Sequence, residues 1–203
     1  MAALAKPSKM TVKEFLAWAE AQPGDGKYEL IGGIAVLKNG REGEPLTAMA
    51  PERFAHAEAK FVITAKLKDA IRSSGVPCQA VIDGLGIAVD NITFYSPDVV
   101  VNCGEPLAGE DQFAPSPIIV VEVLSPSTKG RDLAEKLIDY FRMPSIQHYL
   151  LVDLERRLVL HHRRGEAATI VTAIVREGAL LLDPPGIEMG LDSIFEASPT
   201  TSQ

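Results

Sequence analysis

No apolar run in this chain of 203 residues reaches the ~18 that a membrane helix needs. The longest, Ile118 to Leu124, is broken by Glu122. There are only two cysteines, Cys78 and Cys103, and they match neither a metal-ligand spacing nor a disulfide framework. A reducing cytoplasm is therefore the simplest setting. The N-terminus, MAALAKPSKM, has no long apolar stretch ahead of a cleavage site, so secretion is not expected. Positive charge is short as well: 20 Lys+Arg stand against 27 Asp+Glu, for a net charge of -7. That balance argues against coating nucleic acid through bulk charge, while leaving room for a local basic patch. A glycine-rich phosphate loop is missing, because Gly84-Leu85-Gly86 lacks the lysine and the spacing. Ser125 and Ser127 lie in no nucleophile elbow. Internal repeats and low-complexity tracts are also missing.

What is there suits a globular chain. Hydrophobic residues make up 46% and charged residues 23%, which excludes disorder over the whole length. The length fits one domain, or one domain with a small appendage. Thr11-Val12-Lys13-Glu14 reads as a capping box that opens a helix, with Met10 and Phe15 at the staple positions and Pro23-Gly24 as the stop. Tyr28 to Ile31 and Ile34 to Lys38 flank Gly32-Gly33, a hairpin with a primed turn. A loop, Asn39 to Ala50, follows. Pro51 opens a second helix over about 52–73, with Ala59, Ile63, Leu67 and Ala70 as its stripe and His56 on the same face. Three strand-like runs come next: Val81 to Val89, Phe94 to Asn102 and Ile118 to Leu124. A helix over about 130–142 carries Leu133, Leu137, Tyr140 and Phe141, and Pro144 stops it. Further strands are His148 to Asp153, Leu158 to Arg163, Ala168 to Val175 and Ala179 to Leu182. The order is helix, three strands, helix, strand, with a helix and hairpin in front and short strands behind. It points to an α/β domain with a mixed sheet.

Glu122 is the most informative residue. Both faces of its strand are apolar, so the strand belongs in the middle of a covered sheet. An ionised carboxylate there is costly unless it is paired, hydrogen-bonded or bound to a cation. The plainer alternative is a Glu held by a structural Arg or Lys. Asp98 follows Pro97 and precedes an apolar run; alone it would read as a turn cap. Together, two carboxylates converging from neighbouring strands make an oxygen-rich site suited to Mg²⁺ or Mn²⁺. Asp132, Lys136 and Asp139 share one helix face. Lys136 borders the apolar stripe, so its ammonium could point toward the sheet; the alternative is an Asp132–Lys136 surface pair. Glu29 by itself is the polar face of an amphipathic strand, and His56 by itself is a core histidine. Residues 126–164 hold 8 Lys/Arg and 5 Asp/Glu, the one basic region. Within it, Arg156 to Arg164 could contact phosphates or protect an edge strand by its charge.

These residues together resemble a known family. Tyr28-Glu29-Leu30-Ile31 with Gly33, His56 in a helix, Ser96-Pro97-Asp98-Val99, the run Glu122 to Thr128, Asp132, Lys136, Tyr140 and Tyr149 to Asp153 are similar to the Uma-two family. Those are bacterial restriction-endonuclease-like proteins of the PD-(D/E)XK nuclease superfamily. The resemblance covers residues 10–195, read as one domain, and leaves 1–9 and 196–203 as flexible ends. It implies a restriction endonuclease-like core with the element order above. It implies that Asp98 and Glu122 bind a divalent metal, Mg²⁺ or Mn²⁺, and that Glu29 completes the site. His56 looks like the family's helix histidine, to which no role is attached. The superfamily's lysine is expected two residues after the Glu, where this chain has Leu124; in the Uma-two pattern it has moved to Lys136.

The resemblance thus implies a metal-dependent endonuclease that hydrolyses DNA, often acting as a dimer because two strands need two sites. The rival expectation is a degenerate nuclease fold that serves as a binding protein. It draws on the missing strand lysine and the acidic balance. A metal-dependent phosphodiesterase acting on a small nucleotide would share the site chemistry, and a closed pocket would favour it.

Overall fold

Local sequence signals mark where several elements of the fold begin or end. The computed structural model describes residues 9–22, 27–38, 52–124 and 131–196, and of residues 131 and 132 the backbone only. The expected Pro23-Gly24 stop, the loop Asn39 to Ala50, Pro51 and residues 125–130 lie outside that set. The capping box forms: Thr11 N–H donates to Glu14 Oε2 at 2.8 Å, and Glu14 N–H donates to Thr11 Oγ1 at 3.3 Å. It opens α1 (Val12–Glu20). β1 (Tyr28–Ile31) and β2 (Ile34–Leu37) pair antiparallel around Gly32 and Gly33, whose φ values of 56° and 87° a primed turn requires. α2 (Phe54–Ser74) presents Ala59, Ile63 and Leu67, all fully buried, and ends at Gly75 in the left-handed conformation.

The next two runs each divide. Val81 to Val89, expected as one strand, becomes β3 (Cys78–Ile82) and β4 (Ile87–Asp90). Phe94 to Asn102 becomes β5 (Thr93–Tyr95) and β6 (Val99–Cys103). Asp83 and Gly84, both at positive φ, break the first run. Ser96 and Pro97 break the second, since proline withholds a ladder donor. At both breaks the chain passes from one sheet to another. β7 (Pro117–Val123), α3 (Arg131–Arg142), β8 (His148–Asp153), β9 (Leu158–Arg164), β10 (Ile170–Val175) and β11 (Ala179–Leu182) follow close to expectation. β12 (Ile187–Gly190), which pairs with β11, is an unexpected strand: its alternation of Ile187, Glu188 and Met189 is too short to stand out.

The main sheet runs β10-β9-β8-β7-β6-β3. β7 and β8 are its one parallel pair among the described strands, so the sheet is mixed. α2 covers one face with the side chains of Val99, Val101, Ile119, Val121 and Val123. α3 covers the other with Val100, Val120, Tyr149 and Leu151. Read as α2-β3-β6-β7-α3-β8, this is the restriction endonuclease-like core of helix, three strands, helix, strand. The smaller sheet, β2-β1-β5-β4, packs on α1 through Phe15, Leu30 and Phe94. β10 lies at the outer edge with Ile170, Val171 and Ile174 exposed. β9 is therefore interior, which corrects its reading as a charge-protected edge. Among the described residues no helix is long and apolar enough to cross a membrane.

A disulfide joins Cys78 to Cys103, 25 residues apart. This corrects the expectation from the cysteine count. The two meet because they are opposite each other in the β3–β6 register, and no cysteine spacing records a strand register. The bond also weakens the argument that led from few cysteines to a reducing setting. Closing such a loop stabilises a chain by about 2–4 kcal/mol. Unfolded, unreduced protein is expected to show no free thiol toward a thiol reagent, and reduction should lower unfolding stability by about that amount. Two free thiols before reduction would show that the bond does not form.

β8 and β9 bury three histidines. His148 Nδ1 and His161 Nε2 are 2.9 Å apart, and His148 Nε2 meets the Pro184 carbonyl at 2.9 Å. Burial first, and then His148, Arg163 and His162, bring His161 down to about 4 from an ordinary 6.5. The unfolded chain therefore takes up a proton below pH 6.5 that the folded protein refuses. Stability should be complete above that pH and fall toward pH 4, by up to about 3 kcal/mol from His161. Urea unfolding between pH 7 and 4.5 should show a shallower loss in His161→Gln than in wild type. Identical slopes would remove the histidine from the account.

Candidate active site

The acidic residues sit where the two sheets meet. Asp98 lies on the crossing between β5 and β6, and its carbonyl accepts from the N–H of Asp83 on the earlier crossing at 2.9 Å. Its Oδ2 accepts the Val123 N–H at 2.8 Å, which orients the carboxylate against the end of β7. Glu122 is in β7 and projects to the α3 side, with the parity of Val120. Glu29 enters from β1, where its Oε1 accepts the Ser96 N–H at 3.1 Å. These three carboxylates are only 3–4% exposed.

Two buried lysines separate them. Lys136 Nζ donates to Glu29 Oε1 at 2.9 Å and to Glu122 Oε1 at 3.1 Å. Its stem lies in the α3 stripe, one turn before Tyr140, and its ammonium sits 5.2 Å from the centre of the Tyr95 ring. Lys38, which follows β2, donates to Asp98 Oδ1 at 2.8 Å and lies 3.6 Å from Glu122 Oε2. Asp98 and Glu122 thus face one cationic point.

Electrostatics follow from burial and these partners. Burial pushes Asp98 up, but Lys38, the Val123 N–H and His56 outweigh it and hold the carboxyl below its ordinary value. Burial wins at Glu122, which is raised despite Lys136 and Lys38. Burial alone would lower Lys38; Glu122, Asp98 and Glu29 raise it instead. Tyr140 is raised well above its ordinary value by burial and Glu122, so it stays a neutral donor 3.5 Å from Glu122 Oε1.

A second polar chain borders the first. His56 Nε2 donates to the Val123 carbonyl at 2.6 Å and lies 3.8 Å from Asp98 Oδ2. Its Nδ1 meets Glu52. Both ring nitrogens thus face oxygen atoms. Glu52 also pairs with Lys60 at 2.7 Å, and Lys60 with Asp83 at 2.8 Å.

Of the residues singled out in the sequence, Asp98, Glu122, Glu29 and Lys136 come together, and His56 adjoins them through Val123. Lys136 is not the partner in a surface pair, since it is 2% exposed. Asp139 instead accepts from Tyr95 Oη at 2.7 Å. The side chain of Asp132 lies outside the described set. Leu124, at the superfamily's lysine position, packs among the apolar residues under α3. The arginine-rich stretch is engaged within the fold: Arg156 pairs with Asp153, Arg157 donates to the Phe195 carbonyl, and Arg164 donates to those of Phe141, Ile146 and Met143. Lys38, Glu52, Lys60 and Asp83 were missed. Lys38 carries no signal beyond an Ile34–Leu37 strand running into a charge. Lys60 left one: it lies one position from Ala59 on the α2 stripe.

Among the described residues no group of three or more acidic, histidine or cysteine side chains stands ready to hold a metal ion. Ammonium groups separate the carboxylates. The donor set itself is carboxylate oxygen on rigid elements, which suits a hard divalent cation.

Comparison with known proteins bears on the family and the fold. The profile of the Uma2 family, described as "Putative restriction endonuclease", matches residues 12–196. The chain is 27% identical over 191 residues to the uncharacterized protein slr1290 of Synechocystis sp. (strain ATCC 27184 / PCC 6803 / Kazusa), covering 92% of each. It is 36% identical over 98 residues to the uncharacterized protein sll1609 of the same strain, covering 47% of this chain and 55% of that one. Its fold is similar to that in a crystal structure described as a putative nuclease belonging to DUF820 from Anabaena variabilis ATCC 29413. The TM-score is 0.65 at 16% identity, over 93% of this chain and 98% of that one. The chain belongs to the Uma2 family.

Proposed function

We propose that this protein is an endonuclease that hydrolyses DNA phosphodiester bonds with the help of Mg²⁺ or Mn²⁺. The observation that carries the reading is the convergence of Asp98 Oδ1 and Glu122 Oε2 on one cationic point, 2.8 and 3.6 Å from Lys38 Nζ. The family's description as restriction endonucleases supports DNA as the substrate. Asp98 and Glu122 would hold the cation, with Glu29 as third acid. A divalent cation, when bound, supplies Lewis acidity toward a phosphoryl oxygen and acidifies water. The protein's own groups do the rest. The Val123 N–H keeps Asp98 aimed. Lys136 orients the attacking water and offsets negative charge as it develops on the phosphate. Tyr140 fixes Glu122 from the α3 side. His56, through the Val123 carbonyl, positions the end of β7 against Asp98. A cut through both strands asks for two such sites, so a second copy of the chain is the expected partner.

The second reading is a nuclease fold that has kept the cluster as a structural salt-bridge network. What favours it is that Lys38 and Lys136 already neutralise most of the carboxylate charge. The test is nicking of supercoiled plasmid and cutting of single-stranded DNA with Mg²⁺, Mn²⁺ or chelator. Cleavage is expected with metal only, and is expected to vanish in Asp98→Asn. Intact DNA under both metals, or cleavage that survives in that variant, would favour the structural network.

A further inference from the structure

We propose that Lys38 is a displaceable counter-ion: its ammonium occupies the point between Asp98 and Glu122 that a divalent cation would take, and cation entry expels it. The inference rests on the metal-dependent reading above and deepens it. The first argument is geometric. Lys38 Nζ is 2.8 Å from Asp98 Oδ1 and 3.6 Å from Glu122 Oε2, and its side chain is 5% exposed. A divalent ion bridging the same oxygens at about 2.0–2.5 Å leaves no room for an ammonium between them.

The second argument is charge. Asp98, Glu122 and Glu29 face two ammoniums, Lys38 and Lys136, and His56 beside Asp98 has its own partner in Glu52, so these five groups carry one negative charge in excess. Exchanging one ammonium for a doubly charged ion makes the cluster neutral. Adding the ion and keeping both lysines would bury a surplus positive charge, which is costly.

The third argument concerns which lysine leaves. Lys136 is fixed in the middle of α3 and bridges Glu29 as well as Glu122. Lys38 stands just beyond the last residue of β2, on a long flexible stem. Asp98 meanwhile stays aimed without it, because Oδ2 is held by the Val123 N–H. Removing Lys38 therefore uncovers a carboxylate that is already oriented.

The test measures Mn²⁺ binding directly, by calorimetry and by the loss of the free-ion EPR signal, in wild type, Lys38→Gln and Lys38→Met. The variants are expected to bind Mn²⁺ about tenfold more tightly or better, since the wild-type site pays for the fraction of molecules in which Lys38 is in place. In wild type, acetylation of Lys38 read by mass spectrometry is expected to rise several-fold on adding Mn²⁺. That measurement decides the matter if neither variant folds. Equal affinity in all three proteins, with Lys38 protected throughout, would overturn the inference and leave the metal reading intact. No Mn²⁺ binding by any of them would overturn both, and Lys38 would be a fixed structural partner.

Discussion

Glu122→Gln is expected to lower metal-dependent cleavage by about a hundred- to a thousandfold, the scale of losing one preorganised electrostatic group, because an amide is a poorer ligand than a carboxylate for a hard divalent cation. The same variant should be at least as stable as wild type. The two effects have opposite sign for one reason. Glu122 is costly to keep ionised: it is buried one residue from the end of β7, and burial raises it even with two lysines beside it. Gln keeps the shape and can still accept from Lys136 and Tyr140. Its neutrality leaves Lys38 with Asp98 and Lys136 with Glu29, two balanced pairs. Plasmid nicking and urea unfolding on the same preparation check the claim. Lost activity with lost stability would mean that Glu122 serves the fold first. Undiminished activity would remove it from the site.

Lys136→Met should have the opposite balance, a large loss of stability. Methionine keeps most of the aliphatic stem but leaves Glu29 and Glu122 facing each other without the ammonium they share. Breaking a buried ion pair by removing one partner costs about 3–5 kcal/mol, because the remaining charge is buried and uncompensated. If that mechanism is right, the double variant Lys136→Met with Glu122→Gln should regain part of the loss, a coupling visible in a double-mutant cycle. A loss under about 1 kcal/mol in the single variant, within the range of surface pairs, would mean that water or other groups compensate the carboxylates.

The sequence marks several of the residues that meet in this cluster, and the reasons are specific. Glu122 stood out because a charge in a doubly apolar strand has few cheap explanations. Asp98 gained weight only from its neighbour, and the antiparallel β6–β7 pairing does bring the two ends together. Lys136 borders the stripe of Leu133 and Leu137, but its spacing alone favours a surface pair with Asp132, and its place in the site comes from the family resemblance. Glu29 and His56 were not readable on their own and rose through the family resemblance. Lys38 was invisible because its role depends on how a hairpin in one sheet lies against a crossing of the other, a relation that no local pattern encodes. The same limit explains Cys78 and Cys103, whose meeting is a matter of register. The two divided strands failed differently. Apolar residues resume on either side of Asp83-Gly84 and of Ser96-Pro97, and those short interruptions mark where the chain changes sheets.

The hairpin that supplies Glu29 and Lys38 belongs to the smaller sheet, outside the core that α2 and α3 enclose. Lys136 and Glu29 are 107 residues apart in sequence, and Lys38 and Asp98 are 60 apart. Such closures are entropically slow compared with the local hairpin pairing of β8 and β9. The scaffold can therefore assemble before its charges meet, with Asp98 and Glu122 solvated and loosely held until the hairpin docks. The cluster is complete only when the hairpin of the smaller sheet is docked against the larger one.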